Sequence, residues 1–207
     1  MSIAAEEWPW EPGTSPFRMK GLAYRALVQA LEVDVTGGFD RVLAELPSDA
    51  LRAFMRQPFL AASWYDTAPI VPVTQVIAKL TGTSFSAYAR RRARGQAEDD
   101  LKGVYRWILG LASPMAVTQA LPRIAGRYFD FGRVQVDKQG DREALVVRSG
   151  TPSYLAPWYA EISSEFLRVC LPLSGASDAS VDVSLTPADE RAHGVPTVVI
   201  RYRVTWP

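Results

Sequence analysis

Val198-Val199-Ile200-Arg201-Tyr202-Arg203-Val204-Thr205-Trp206 lies at the end of the 207-residue chain. From Val198 the even positions read Val, Ile, Tyr, Val, Trp, while Arg201, Arg203 and Thr205 fall between them. Strict period-2 alternation puts one apolar row on a buried sheet face and the basic row in solvent. β-branched and aromatic side chains suit such a half-buried pleated surface. This strand is read as the element against which the rest packs.

Working back from it, Val181, Val183 and Leu185 alternate with Asp182, Ser184 and Thr186 and predict another strand. A polar loop, Pro187 to Pro196, joins the two. Arg133 to Asp137 and Glu143 to Arg148 predict a hairpin through Lys138-Gln139-Gly140. Between the two strand pairs, Pro157 opens a helix to about Val169, with Trp158, Ile162, Phe166 and Val169 at helical spacing.

Ahead of Gly126 the period is helical. Helices are expected from about Lys20 to Leu31, from Phe39 to Leu46, after the Pro47-Ser48-Asp49 stop and cap, and from Pro72 to Leu80. Trp64-Tyr65-Asp66-Thr67 reads as a connection with a helix start. A helix capped at Thr83 or Ser84 should run out at Arg90-Arg91-Arg92-Ala93-Arg94-Gly95. Leu101, Val104, Tyr105, Ile108 and Leu109 form an amphipathic pattern, and Ser113-Pro114 caps a helix kinked near Pro122. Helices followed by strands indicate an α+β fold: a helical N-terminal two-thirds packed on a small antiparallel sheet of about four strands with a covering helix. Residues 1–16 read as an irregular arm and residues 17–207 as a single domain.

A net charge of +1 argues against a dedicated nucleic-acid binder. One cysteine excludes an intrachain disulfide and a multi-cysteine metal site. The first ten residues lack a signal-peptide pattern, and no stretch reaches the roughly 18 apolar residues of a spanning helix. A cytoplasmic protein without membrane insertion is expected.

No motif specifies a reaction. His193, the only histidine, lies in a polar loop and reads as exposed rather than as a base or metal ligand. Cys170 follows an amphipathic helix and reads as a buried small hydrophobe, since an activated thiol favours a helix N-terminus. Arg90, Arg91, Arg92 and Arg94 read first as a solvated helix end and next as a contact for an acidic protein partner. Glu143, Glu161 and Glu165 read as ordinary carboxylates, the last two facing solvent on their helix. No glycine-rich phosphate loop occurs. The aromatics Tyr128, Phe129, Phe131, Tyr154, Trp158 and Tyr159 cluster around the helix–sheet junction. Tyr128, Phe131, Tyr154, Trp158 and Phe166 are the candidates for a ligand pocket. Trp8, Trp10, Trp64 and Tyr65 join the arginines as candidates for partner contact.

Three short motifs carry a resemblance: Lys20-Gly21-Leu22; Leu121-Pro122 with Tyr128-Phe129-Asp130-Phe131-Gly132; and Tyr202-Arg203-Val204-Thr205-Trp206. On these the chain resembles a group of roughly 200-residue myxobacterial proteins of unknown function. That group is similar to the superfamily of haem nitric-oxide-binding domains, 4-vinyl reductase domains and TRAPP subunits. The haem members use a mid-chain proximal histidine and a Tyr-x-Ser-x-Arg signature, and this chain has neither. No cofactor or metal is therefore expected. The lipid-modified members acylate a channel-facing cysteine, and Cys170 does not obviously match its position. The resemblance implies a helix-covered sheet, with a homodimer among its arrangements, that binds a small apolar ligand or a protein partner. A non-enzymatic binding or scaffold domain in signalling or regulation is the leading expectation. A haem-free sensor of an apolar ligand comes second, and an enzyme with unrecognised carboxylate chemistry third.

Overall fold

The computed structural model describes residues 8–102 and 113–207. The chain order is β1 (Arg18–Lys20), α1 (Gly21–Asp34), α2 (Gly38–Glu45), α3 (Asp49–Arg56), β2 (Trp64–Asp66), α4 (Ile70–Leu80) and α5 (Phe85–Lys102). Then come α6 (Pro114–Tyr128), β3 (Arg133–Gly140), β4 (Glu143–Pro152), α7 (Ala156–Leu173), β5 (Ser180–Ala192) and β6 (Val195–Thr205). The fold is α+β, as the change of period indicates. Four antiparallel strands form one sheet in the order β3-β4-β6-β5, and β1 pairs with β2 in a separate two-stranded sheet.

The terminal strand behaves as its alternation dictates. Ile200, Tyr202 and Val204 are buried while Arg201 and Arg203 are exposed. Across the ladder Val146 pairs with Tyr202 and Ala144 with Val204, which continues the buried row onto β4. α6 and α7 cover this face, and α5 lies along α7. The local signals also hold. Ser48 accepts from the Leu51 amide (3.2 Å) and Ser113 from the Ala116 amide (3.2 Å), each capping the helix that follows it.

Several elements differ from the sequence reading. β1 and β2 have three residues each, too few to show a period, so Trp64-Tyr65-Asp66 is a strand rather than a connection. The β3–β4 turn falls at Asp141-Arg142, and Lys138-Gln139-Gly140 stays in β3 across a bulge. β5 runs through the supposed loop to Ala192, with a bulge between Pro187 and Arg191, and only His193-Gly194 turns. α5 does not end at Gly95. Its basic run is mid-helix, held by ion pairs to α7 that no local pattern reveals. Val104, Tyr105, Ile108 and Leu109 lie outside the described residues.

Candidate functional site: an apolar cavity between three helices and the sheet

Where α5, α6 and α7 meet the buried sheet face, side chains leave a cavity of about 180 Å³. α5 contributes Tyr88, Arg92, Ala93, Gln96, Ala97 and Asp100; α6 contributes Leu121, Ile124, Ala125 and Tyr128. α7 contributes Trp158, Tyr159, Ile162 and Phe166, and the sheet supplies Val134, Val146, Arg148 and Tyr202. Helical spacing explains the walls: Tyr88, Arg92, Gln96 and Asp100 recur every fourth residue, as do Trp158, Ile162 and Phe166. The lining is mostly carbon, with a few fixed polar groups, as in small-molecule sites generally.

Of the aromatics singled out in the sequence, Tyr128, Phe129, Trp158, Tyr159 and Phe166 line this cavity. Phe131 lines an adjoining hollow at the α6–β3 junction. Tyr154 lies outside both and stacks with Trp8, ring centroids 5.0 Å apart. Trp8 and Trp10 fold onto Phe17, at 5.6 and 5.7 Å. Trp64 is 37% exposed, and the Lys20 ammonium sits 3.8 Å from the centre of its ring. The Tyr65 hydroxyl accepts from the Leu60 amide and donates to the Pro58 carbonyl.

The α5 wall is fastened to α7 by charge. Arg90 pairs with Glu161 (2.7 Å) and Arg94 Nε donates to Glu165 Oε1 (2.7 Å). Arg168 approaches Glu165 from its own helix at 3.7 Å. Glu165 is thus a buried, doubly paired carboxylate and Glu161 a half-buried one, not the solvent-facing residues their spacing suggested. Arg91 reaches Asp34 at 3.7 Å, and Arg92 Nη2 donates to the Ala26 carbonyl at 3.3 Å.

Two polar groups in the walls are unusual. Asp100 is buried and accepts from Gln96 Nε2 (2.7 Å) and from the Tyr128 hydroxyl. Burial raises its carboxyl pKa, against the pull of those two bonds. Arg148 is 1% exposed and is the largest fully buried side chain among the described residues. Its guanidinium carbon lies 3.9 Å from the Tyr159 ring centre. Nε donates to Thr151 Oγ1 (3.0 Å) and Nη2 to the Phe131 carbonyl (2.8 Å). Burial pushes the Tyr159 phenol up, and the Arg148 charge opposes that rise. The sequence reading passed over Arg148. The signal was present, because the β4 alternation places it in the same row as Ala144 and Val146, where an apolar residue belongs.

His193 is exposed at the β5–β6 turn, with a positive φ of 47° and its ring 5.3 Å from Phe17. Cys170 is fully buried. Burial, and then the Asp100 charge, pushes its thiol up to about 12. At pH 8 the folded chain should therefore resist an aromatic disulfide reagent and react at one thiol only after denaturation. Rapid labelling of the native protein would contradict this placement.

No protein-family model matches the sequence, and no curated protein matches it significantly. Solved structures do match in three dimensions. An Fe(II) unliganded H-NOX protein from K. algicida superposes with a TM-score of 0.61 at 9% identity, over 91% of this chain and 97% of that one. An oxygen-binding H-NOX domain related to soluble guanylate cyclases gives 0.57 at 8% identity, over 90% and 92%. The chain has the H-NOX fold. At such identities the likeness concerns the fold alone.

Other solved members of this fold concern haem and its distortion. Haem iron takes an axial histidine, cysteine, methionine or tyrosine. The single histidine is at the β5–β6 turn, and among the described residues neither Cys170 nor any methionine lines the cavity. Four tyrosines line it: burial raises the Tyr88, Tyr159 and Tyr202 phenols, which opposes the phenolate a metal needs, and the Tyr128 hydroxyl donates to Asp100. Among the described residues the lining offers no histidine, cysteine or methionine as an axial haem ligand. Among the described residues no helix is long and apolar enough to cross a membrane, and no group of three His, Cys, Asp or Glu side chains is placed to hold a metal.

Proposed function

We propose that this chain is a non-catalytic binding domain of sensor type, whose ligand is a small, largely apolar molecule seated between α5, α6, α7 and the sheet. One observation carries the reading: a cavity of about 180 Å³ walled by Leu121, Ile124, Val146, Trp158, Ile162 and Phe166. A dry cavity of about 150 Å³ binds benzene, so a body of six to ten carbons is the expected scale. The fold supports a sensing role, since one solved neighbour is an oxygen-binding domain related to soluble guanylate cyclases. The scaffold reading rests on less. Arg90 and Arg94 are engaged by α7, and Trp8 and Trp10 pack inward. The exposed apolar side chains Val33, Leu60, Trp64, Leu173 and Leu185 are what favours it.

The test is thermal shift against a panel of small apolar compounds, on the native chain and on two variants that fill the cavity from different walls, Ala93→Phe and Ala125→Phe. Each phenyl ring should occupy the space a ligand needs. Several compounds should raise the melting temperature of the native chain by a few degrees and leave both variants unmoved. No response from the native chain, or an equal response from the variants, would overturn the proposal.

A further inference from the structure

Arg148 gives the cavity an electrostatic polarity that its carbon lining does not explain. The side chain occupies a core position on β4, one step along the row from Val146. Of the five N–H groups a guanidinium carries, Nε–H and one on Nη2 have protein acceptors. Both acceptors are neutral. Among the described residues no carboxylate forms an ion pair with Arg148, although Arg90, Arg94 and Arg168 all have one on α7. A buried cation without a counter-charge is unfavourable unless something compensates it.

The backbone around it is shaped to admit the guanidinium. β4 bulges between Arg148 and Thr151. Gly132 has a φ of +70°, and a Cβ there would lie 2.9 Å from Arg148 Nη2. Gly150 has a φ of +71°, and a Cβ there would lie 3.4 Å from Gly132 Cα. Two left-handed glycines and a bulge thus make room for this side chain. The Tyr159 ring centre lies 3.9 Å from the guanidinium carbon and both residues line the cavity, while Arg148 also borders the adjoining hollow beside Phe131 and Gly132.

We infer that the ligand of this cavity is an anion, a compact apolar body carrying a carboxylate that pairs with Arg148. This rests on the apolar-ligand reading above and adds a head group to it. The planar fork of the guanidinium matches a carboxylate, and a charge-assisted bond formed away from water is stronger than a neutral one. A neutral ligand of the same shape would strip any water from the cation and return at most a neutral hydrogen bond. Arg92, the other cationic wall residue, already donates to the Ala26 carbonyl and is half-buried, so it is the weaker anchor.

The experiment titrates the native chain at pH 7.5 with matched pairs: hexanoate and hexan-1-ol, octanoate and octan-1-ol, 3-phenylpropanoate and 3-phenylpropan-1-ol. Calorimetry should show the acid of at least one pair binding ten-fold or more tighter than its alcohol. In Arg148→Gln that preference should collapse to about unity while the alcohol keeps its affinity. If Arg148→Gln does not fold, the acid-to-alcohol ratio of the native chain still decides. Alcohols binding as well as acids would overturn the anionic ligand and leave the apolar-ligand reading intact. Acid preference persisting in a folded Arg148→Gln would assign the charge to another group and overturn the role of Arg148. If no compound of any pair binds, the apolar-ligand reading itself fails.

Discussion

Asp66→Ala is expected to destabilise the fold by about 4 kcal/mol, a fall of roughly 8–16 °C in melting temperature for a chain of this length. Asp66 is 2% exposed at the end of β2. Its Oδ2 accepts from the Gly13 amide (2.9 Å) and the Ser15 amide (3.3 Å). Its Oδ1 accepts from the Ala68 amide (2.9 Å) and the Ser15 hydroxyl. One carboxylate therefore ties the N-terminal arm, β2 and the entry to α4 together. No ion pair to Asp66 occurs among the described residues, so these donors are what offset its burial. Alanine would leave three backbone N–H groups without their acceptor in places water reaches poorly. The arm should loosen first, with a red shift in the fluorescence of Trp8 and Trp10 and faster proteolysis ahead of Phe17. A melting temperature within about 2 °C of the native value would show that the carboxylate is not the tie.

Gly21→Ala should cost about 3 kcal/mol, although alanine is the better helix former by about 1 kcal/mol. Gly21 begins α1, and its backbone is unstrained. Space is the constraint. A Cβ there would lie 2.3 Å from the Leu60 carbonyl oxygen and 2.6 Å from Tyr65 Cε2. Neither neighbour can easily retreat. The Tyr65 ring is held by hydrogen bonds of its hydroxyl to the Leu60 amide (2.8 Å) and the Pro58 carbonyl (3.0 Å). The Gly21 amide donates to the Ser63 carbonyl (2.9 Å) and the Leu22 amide to the Ala61 carbonyl (3.2 Å), fixing the two segments together. Gly126→Ala in α6 is the control, because a Cβ there meets nothing within 4 Å. It should be neutral or stabilise by up to about 1 kcal/mol. Equal denaturant midpoints for the two variants would mean that the close approach at Gly21 is not what the chain conserves energy by keeping open.

The difference between these glycines marks how far the sequence can be read. Both sit in helices, and nothing local separates them. What separates them is Leu60 and Tyr65, some forty residues away. The same holds for α5. Gly95 and four arginines look like a helix end, yet Glu161 and Glu165 on α7 neutralise Arg90 and Arg94 and the helix continues. Features with a local cause were legible: the alternation of β6, the caps Ser48 and Ser113, the first-turn prolines Pro114 and Pro157. The three-residue strands β1 and β2 were not, since a period cannot be read from three residues. From the aromatics at the α6–β3 and β4–α7 junctions, Tyr128, Phe129, Trp158 and Tyr159 line the cavity, as does Phe166 further along α7. The cavity itself was hidden, because a void is a property of how side chains from several elements fail to fill space. Arg148 was legible and overlooked: a charged residue in phase with a buried apolar row is itself a signal.

The most direct measurement is a native mass spectrum of the freshly purified chain, before and after incubation with the acid and alcohol panel, beside the same spectra of Ala93→Phe. A discrete small-molecule adduct on the native chain, lost on denaturation and absent from Ala93→Phe, is the expected result. A bare-chain mass under every condition, or an adduct that Ala93→Phe retains, would contradict a ligand seated between α5, α6, α7 and the sheet.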